Sequence, residues 1–250
     1  MAFKVFYHDE FYEVYTSDPA AASGRMEAVV AAIKPFVEFM PIEPIFEDYI
    51  RLVHTDEQIE RVRWQKLHSI ASLAAGGAYQ SAALGLSEPC FALIRPPGHH
   101  ASSGNAWGFC FYNNMAIAIE ALKREGKIKT ATILDIDMHY GDGTVNILKE
   151  KDYVDIHNFE TEDRDVYLKD VETVLKNCSS DIIGISAGFD NHVEDWGGVL
   201  ETDDYTTIGR LVLETSRRIN GGCFGILEGG YNHDVLGQNV LALINGLQGN

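Results

Sequence analysis

Short apolar runs alternate along the chain with longer stretches in which apolar residues recur every three or four positions. The short runs at 3–7, 90–95, 131–137, 153–157, 181–187 and 223–227 read as strands. Several are apolar almost without interruption (FALI, ATIL, DIIGIS, CFGIL), which suits parallel strands covered on both faces. Helices are expected between them, over about 24–39, 56–86 with a break near Gly76 and Gly77, 113–125, 164–177, 203–219 and 234–247. The stretch NNMAIAIEALKREGK begins on Asn, carries an apolar stripe and stops at Gly126, so both ends of that helix are marked. Strands alternating with helices predict an α/β fold, a mostly parallel sheet flanked by helices. No repeat, low-complexity tract or Pro/Ser-rich linker interrupts the 250 residues, which predicts a single domain over 1–250.

The polar residues that break this pattern collect at strand ends. In open α/β sheets ligands bind beyond the carboxyl ends of the strands. RPPGHH follows FALI, DIDMHYGDG closes ATIL, AGFD follows DIIGIS and EGGY follows CFGIL. Asp135, Asp137 and His139 recur with period two, so an extended backbone would present them on one side. A carboxylate and an imidazole so spaced can grip one divalent cation, and Asp190 is the best third ligand. One His and two carboxylates leave an open position for water, as a catalytic metal requires. The adjacent His99 and His100 need acidic partners to fix their tautomers, and Asp135 and Asp142 are close in sequence to the metal motif. Gly229 and Gly230 let the backbone approach a ligand, and the Tyr231 hydroxyl after them can donate to a developing oxyanion. Together these groups read as metal-assisted hydrolysis of a carbonyl compound. His8, His54, His68, His157, His192 and His233 lack such neighbours and read as structural.

Composition narrows the partners. Lys+Arg number 20 against 37 Asp+Glu, a net charge of −17 that disfavours direct nucleic-acid binding and favours cationic substrates. The cysteines at 90, 110, 178 and 223 form no CxxC pair; those at 90, 110 and 223 lie in or beside apolar runs, as small buried thiols do, which fits a reducing compartment. No apolar run reaches 18 residues and no charged start precedes a long apolar stretch. The expectation is a soluble cytoplasmic protein with no membrane association and no cleaved export signal.

Residues 91–101 (FALIRPPGHHA), 107–118 (WGFCFYNNMAIA), 133–144 (ILDIDMHYGDGT), 186–190 (SAGFD) and 227–232 (LEGGYN) together resemble the histone deacetylase family, most closely its class II branch and the bacterial acetylpolyamine amidohydrolases. LVHTDEQIERV and VLALINGL fit as well, so the resemblance spans nearly the whole chain in family order. It implies the arginase/deacetylase fold and a deacetylase acting on an acylated amine: acetyl-lysine, an acetylpolyamine or a small acetylated amine. It further implies that Asp137, His139 and Asp190 bind zinc, with iron(II) as the alternative. By the same resemblance His100 is general base and then acid, His99 supports it electrostatically, Asp135 orients His99 and Asp142 orients His100. Tyr231 would stabilise the oxyanion, and Gly108 and Phe109 would line the acyl channel. A structural potassium ion near Asp135, Asp137, His139 and the strand of Asp155 and Ile156 is implied too.

Several positions depart from the family pattern. About 30 residues separate His157 from Ser186, where relatives carry a longer insertion that supplies a second aromatic channel wall, so a wider pocket walled by Phe109 alone is expected. Tyr140 replaces a usual His, Asp155 a usual Ser, and Gly197 falls where the polyamine-specific eukaryotic branch has an acidic gatekeeper. Two rival functions differ in kind. One is an acyl-lysine-binding protein with weak turnover; the other is a same-fold ureohydrolase with a dimanganese site. Retention of Tyr231, both histidines and the ligand set disfavours the first, and the single Asp-x-His set disfavours the second. A homo-oligomer is compatible with the sequence.

Overall fold

A computed structural model describes residues 2–249. Seven strands, β1 (Phe3–Phe6), β2 (Val37–Met40), β3 (Cys90–Ala92), β4 (Ala131–Asp135), β5 (Val154–Asn158), β6 (Ile182–Ala187) and β7 (Gly222–Leu227), form one sheet ordered β2-β1-β3-β7-β6-β4-β5. Every neighbouring pair is parallel. The uninterrupted apolar runs occupy the centre: β3, β4, β6 and β7 are buried throughout, whereas the edge strands β2 and β5 are only partly covered. Parallel strands need crossovers, and the helices that supply them cover the faces. These are α1 (Arg25–Ile33), α2 (Glu47–Ile50), α3 (Asp56–Trp64), α4 (His68–Gly85), α5 (Asn114–Arg124), α6 (Asp142–Leu148), α7 (Arg164–Asn177), α8 (Thr202–Ile219) and α9 (His233–Gln248). One set packs in series as α1, α9, α8 and α7; the other groups α2 and α4 with α5, α3 with α4, and α5 with α6. None of the described helices is long and apolar enough to cross a membrane.

The α/β reading and the parallel sheet agree with the structure; several boundaries do not. The helix expected over about 24–39 stops at Ile33, and Val37–Met40 becomes edge strand β2. Pro35 has no amide to continue the helical ladder, which frees the next residues to pair with β1. The break expected at Gly76 and Gly77 lies instead between α3 and α4, at Lys66, whose φ is +63°. The glycines serve close packing. A Cβ on Gly76 would stand 2.0 Å from the Glu43 carbonyl oxygen, and α4 continues unbroken through both glycines. The strand expected over 131–137 ends at Asp135, and residues 137–139 bend.

Candidate active site

The loop after β3 carries the paired histidines, and a residue outside the expected set shapes it. Glu228, buried just beyond β7, accepts from the backbone N–H of Gly98 at 2.6 Å and of His99 at 3.3 Å, and from Ser186 Oγ at 3.3 Å. Farther along, Asn113 caps α5 by accepting from Ala116 N at 2.9 Å and donates to the Ala101 carbonyl at 3.0 Å. His54 braces the same loop. Its Nδ1–H donates to the Ser102 carbonyl at 3.1 Å, while Nε2 accepts from Asn113 N at 2.8 Å. Both ring nitrogens are thus committed to a neutral tautomer, and burial lowers the pKa to about 4.

Each paired histidine meets the partner expected for it. His99 Nδ1 donates to Asp135 Oδ2 at 3.1 Å, and His100 Nδ1 donates to Asp142 Oδ1 at 2.7 Å. Asp142 also accepts from Trp107 Nε1 at 2.9 Å, and the Trp107 ring lies over His100 with centroids 3.9 Å apart. Burial works against a charge on His99, but Asp137 and Asp135 outweigh it and hold the imidazole well above its ordinary pKa. His100 goes the other way. Burial, then the charge of His99, outweigh Asp142 and lower it to about 4, leaving a neutral ring with Nε2 free to take a proton.

Asp137, His139 and Asp190 come together although the backbone between them is not extended. One candidate ligand atom from each lies within 4.8 Å of the others. His139 Nδ1 stands 3.2 Å from Asp137 Oδ1 and 3.0 Å from Asp190 Oδ2. The two carboxylates are buried and aimed at one point. Burial, with the Asp137 charge beside it, raises Asp190 to about 7. His139, bonded to both, is raised to about 10. A divalent cation here would satisfy both carboxylates, and the donor set suits zinc or a similar ion. Gly229 lies directly over the ligands: its N–H donates to Asp137 Oδ2 at 2.9 Å, and a Cβ would approach Asp190 Oδ2 to 2.8 Å. Gly229 thereby positions the Asp137 carboxylate.

Tyr231 leaves the same turn. Its backbone N–H and that of Asn232 donate to Asp195 Oδ2 at 2.8 and 2.7 Å. Arg25, wholly buried at the start of α1, donates to the carbonyls of Glu228 (2.7 Å) and Gly230 (2.8 Å) and so ties the turn down from beneath. Burial and the Asp137 and Asp190 charges push the Tyr231 hydroxyl far above its ordinary pKa, which keeps it a donor. Gly108, at φ +57°, packs against His100, where a Cβ would come within 2.3 Å of Cδ2. Phe109 follows at φ +67°, its ring edge-on to Tyr231 at 5.9 Å. Trp196, from the segment after β6, stacks on Tyr231 at 4.1 Å.

The structure therefore gathers His99, His100, Asp135, Asp142, Asp137, His139, Asp190, Tyr231, Gly108, Phe109 and Gly229 at the carboxyl ends of β3, β4, β6 and β7. Sequence reasoning missed Glu228, Arg25, Asp195, Trp107 and Trp196. Glu228 was legible as a carboxylate inside an apolar strand end; Arg25 and Trp196 carry no local signal.

The chain matches the histone deacetylase domain over residues 46–167 and 159–247, and it belongs to that family. It is 28% identical to a probable deacetylase of Methanothermobacter thermautotrophicus, over 98% of this chain and 91% of that one. It is 29% identical to acetylpolyamine amidohydrolase 1 of Pseudomonas aeruginosa, over 78% of this chain and 65% of the relative. The crystal structure of the HDA15 HD domain superposes with a TM-score of 0.83 at 23% identity, covering all of this chain and 90% of that one, which establishes the shared fold. The chain is an enzyme of the hydrolytic deacetylase class.

Proposed function

We propose that this protein is a zinc-dependent amidohydrolase that removes acetyl or another short acyl group from an acylated amine. The observation that carries this reading is the placement of His100, its Nδ1 held on Asp142 at 2.7 Å, beside the Asp137/His139/Asp190 donor set. Asp137, His139 and Asp190 would hold the ion, which when bound supplies Lewis-acid polarisation of the acyl carbonyl and of the attacking water. His100 Nε2 takes a proton from water as its oxygen attacks the acyl carbon. The same proton passes to the amine nitrogen as the C–N bond breaks, giving a carboxylate and a free amine. His99, kept charged by Asp135 and Asp137, favours the anionic transition state. The Tyr231 O–H donates to the developing oxyanion. Net charge −17 favours cationic amines over neutral ones. We place the enzyme in the cytoplasm.

A panel of acetyl-lysine peptides, acetylated polyamines and small acetylated amines, incubated with the zinc-loaded protein, tests the reading by release of free acetate. Turnover of at least one class is expected. Binding without turnover would favour an acyl-lysine reader, and urea release from a guanidino substrate would favour a ureohydrolase.

A further inference from the structure

Trp196 lies between β6 and α8, and its side chain is 50% exposed. Its ring is nonetheless fixed in the site. It stacks on Tyr231 with planes 26° apart and stands edge-on to His139 at 6.1 Å. Both backbone flanks are anchored to the catalytic machinery. Trp196 N donates to Asp195 Oδ1 at 2.9 Å, and Asp195 is the residue that holds the Tyr231 turn. On the other side Gly197 N donates to the carbonyl of Asp190 at 2.7 Å. Gly197 itself has no room for a side chain, since a Cβ there would meet Asn191 Oδ1 at 2.5 Å. The residue of this segment that faces the site is therefore Trp196, not Gly197.

Phe109 and Trp196 both touch the Tyr231 ring, but they belong to different sides of the centre. Phe109 follows the glycine packed on His100, and Trp196 abuts His139. The two rings thus meet Tyr231 from the His100 side and the His139 side, and the His100 and His139 rings themselves stand 5.9 Å apart. An exposed indole on a fixed backbone is a preorganised apolar surface that gains when a substrate's methylenes cover it.

We propose that Trp196 is a specificity-determining residue whose indole forms the second aromatic wall of the channel, gripping the methylene stem of an acylated primary amine; this rests on the amidohydrolase reading above. The aromatic of the connection from β5 to α7, residues 159–163, is Phe159, whose buried ring packs on Tyr167, and the segment after β6 supplies the wall instead.

Steady-state kinetics on acetyl-lysine methylamide, comparing the zinc-loaded protein with Trp196→Ala and Trp196→Phe, test the proposal. Uncovering about two methylenes should raise KM about tenfold in the Ala variant, while kcat stays within about threefold. Trp196→Phe should recover most of the loss. Trp196→Gln, which keeps bulk without an aromatic face, should behave like Ala and serves if the Ala variant does not fold. A second arm titrates acetyl-lysine methylamide into the metal-free proteins by NMR, where Kd should weaken by a similar factor. Unchanged KM and Kd would overturn the proposal, as would a fall in kcat at constant KM. A wild-type protein that hydrolyses nothing in the panel would defeat the amidohydrolase reading, and the binding arm would then decide the role of Trp196 alone.

Discussion

His99 and His100 are neighbours in sequence, and each donates Nδ1–H to an aspartate, yet one is held charged and the other neutral. His99 faces Asp135 at 3.1 Å and Asp137 at 3.8 Å, both in the interior. His100 has one partner, Asp142, whose side chain is 36% exposed and also accepts from Trp107. The identity of the hydrogen bond therefore does not set the protonation state. The number of buried carboxylates facing the ring does, and once His99 is charged it pushes the proton off its neighbour. One ring becomes a fixed electrostatic support and the other a base.

Deleting the two rings separately is the strongest way to break this comparison. His100→Ala should lower kcat by at least about 10³-fold, because it removes the proton acceptor and the later donor together. His99→Ala should cost less, on the order of 10–10²-fold, since it removes a charge and no proton carrier. Single-turnover acetate release measures both. Equal, mild losses would mean that water is activated elsewhere.

His54 extends the comparison to an imidazole whose neutrality is structural. Its folded pKa, about 4, lies below the ordinary 6.5, so an unfolded chain binds the proton first as pH falls. The stability it contributes is complete above about pH 6.5 and is lost as pH drops toward 4. The loss at this site should reach about 2 kcal/mol by pH 5. Urea unfolding of wild type and His54→Gln at pH 7 and pH 5 should show the smaller pH dependence in the variant. A smaller effect is expected at Trp107. Trp107→Phe keeps a ring over His100 but removes the N–H donated to Asp142, which should lower kcat about three- to tenfold with little change in KM.

The sequence was most legible where function is concentrated in short motifs. His99 and His100, Asp135 through Asp142, Asp190 and Tyr231 each sit directly after an apolar run, so strand ends and chemistry announced one another. Residues whose roles depend on long-range contacts stayed hidden. Arg25 acts on carbonyls more than 200 positions away, at Glu228 and Gly230, and at the start of a helix it looks like any basic residue. Trp196 reads as an exposed loop aromatic until its stacking partner is known. Edge strand β2 was absorbed into a helix because its partial burial leaves no clear alternation, and α6 was missed because GDG resembles a turn.

Titrating metal-depleted protein with Zn²⁺ while following deacetylation tests the central reading most directly. Activity should rise linearly and saturate at about one equivalent per chain, and Asp190→Ala should neither retain zinc on elemental analysis nor regain activity, because two ligands hold zinc weakly. Saturation only at two equivalents, with manganese required and zinc inert, would contradict it.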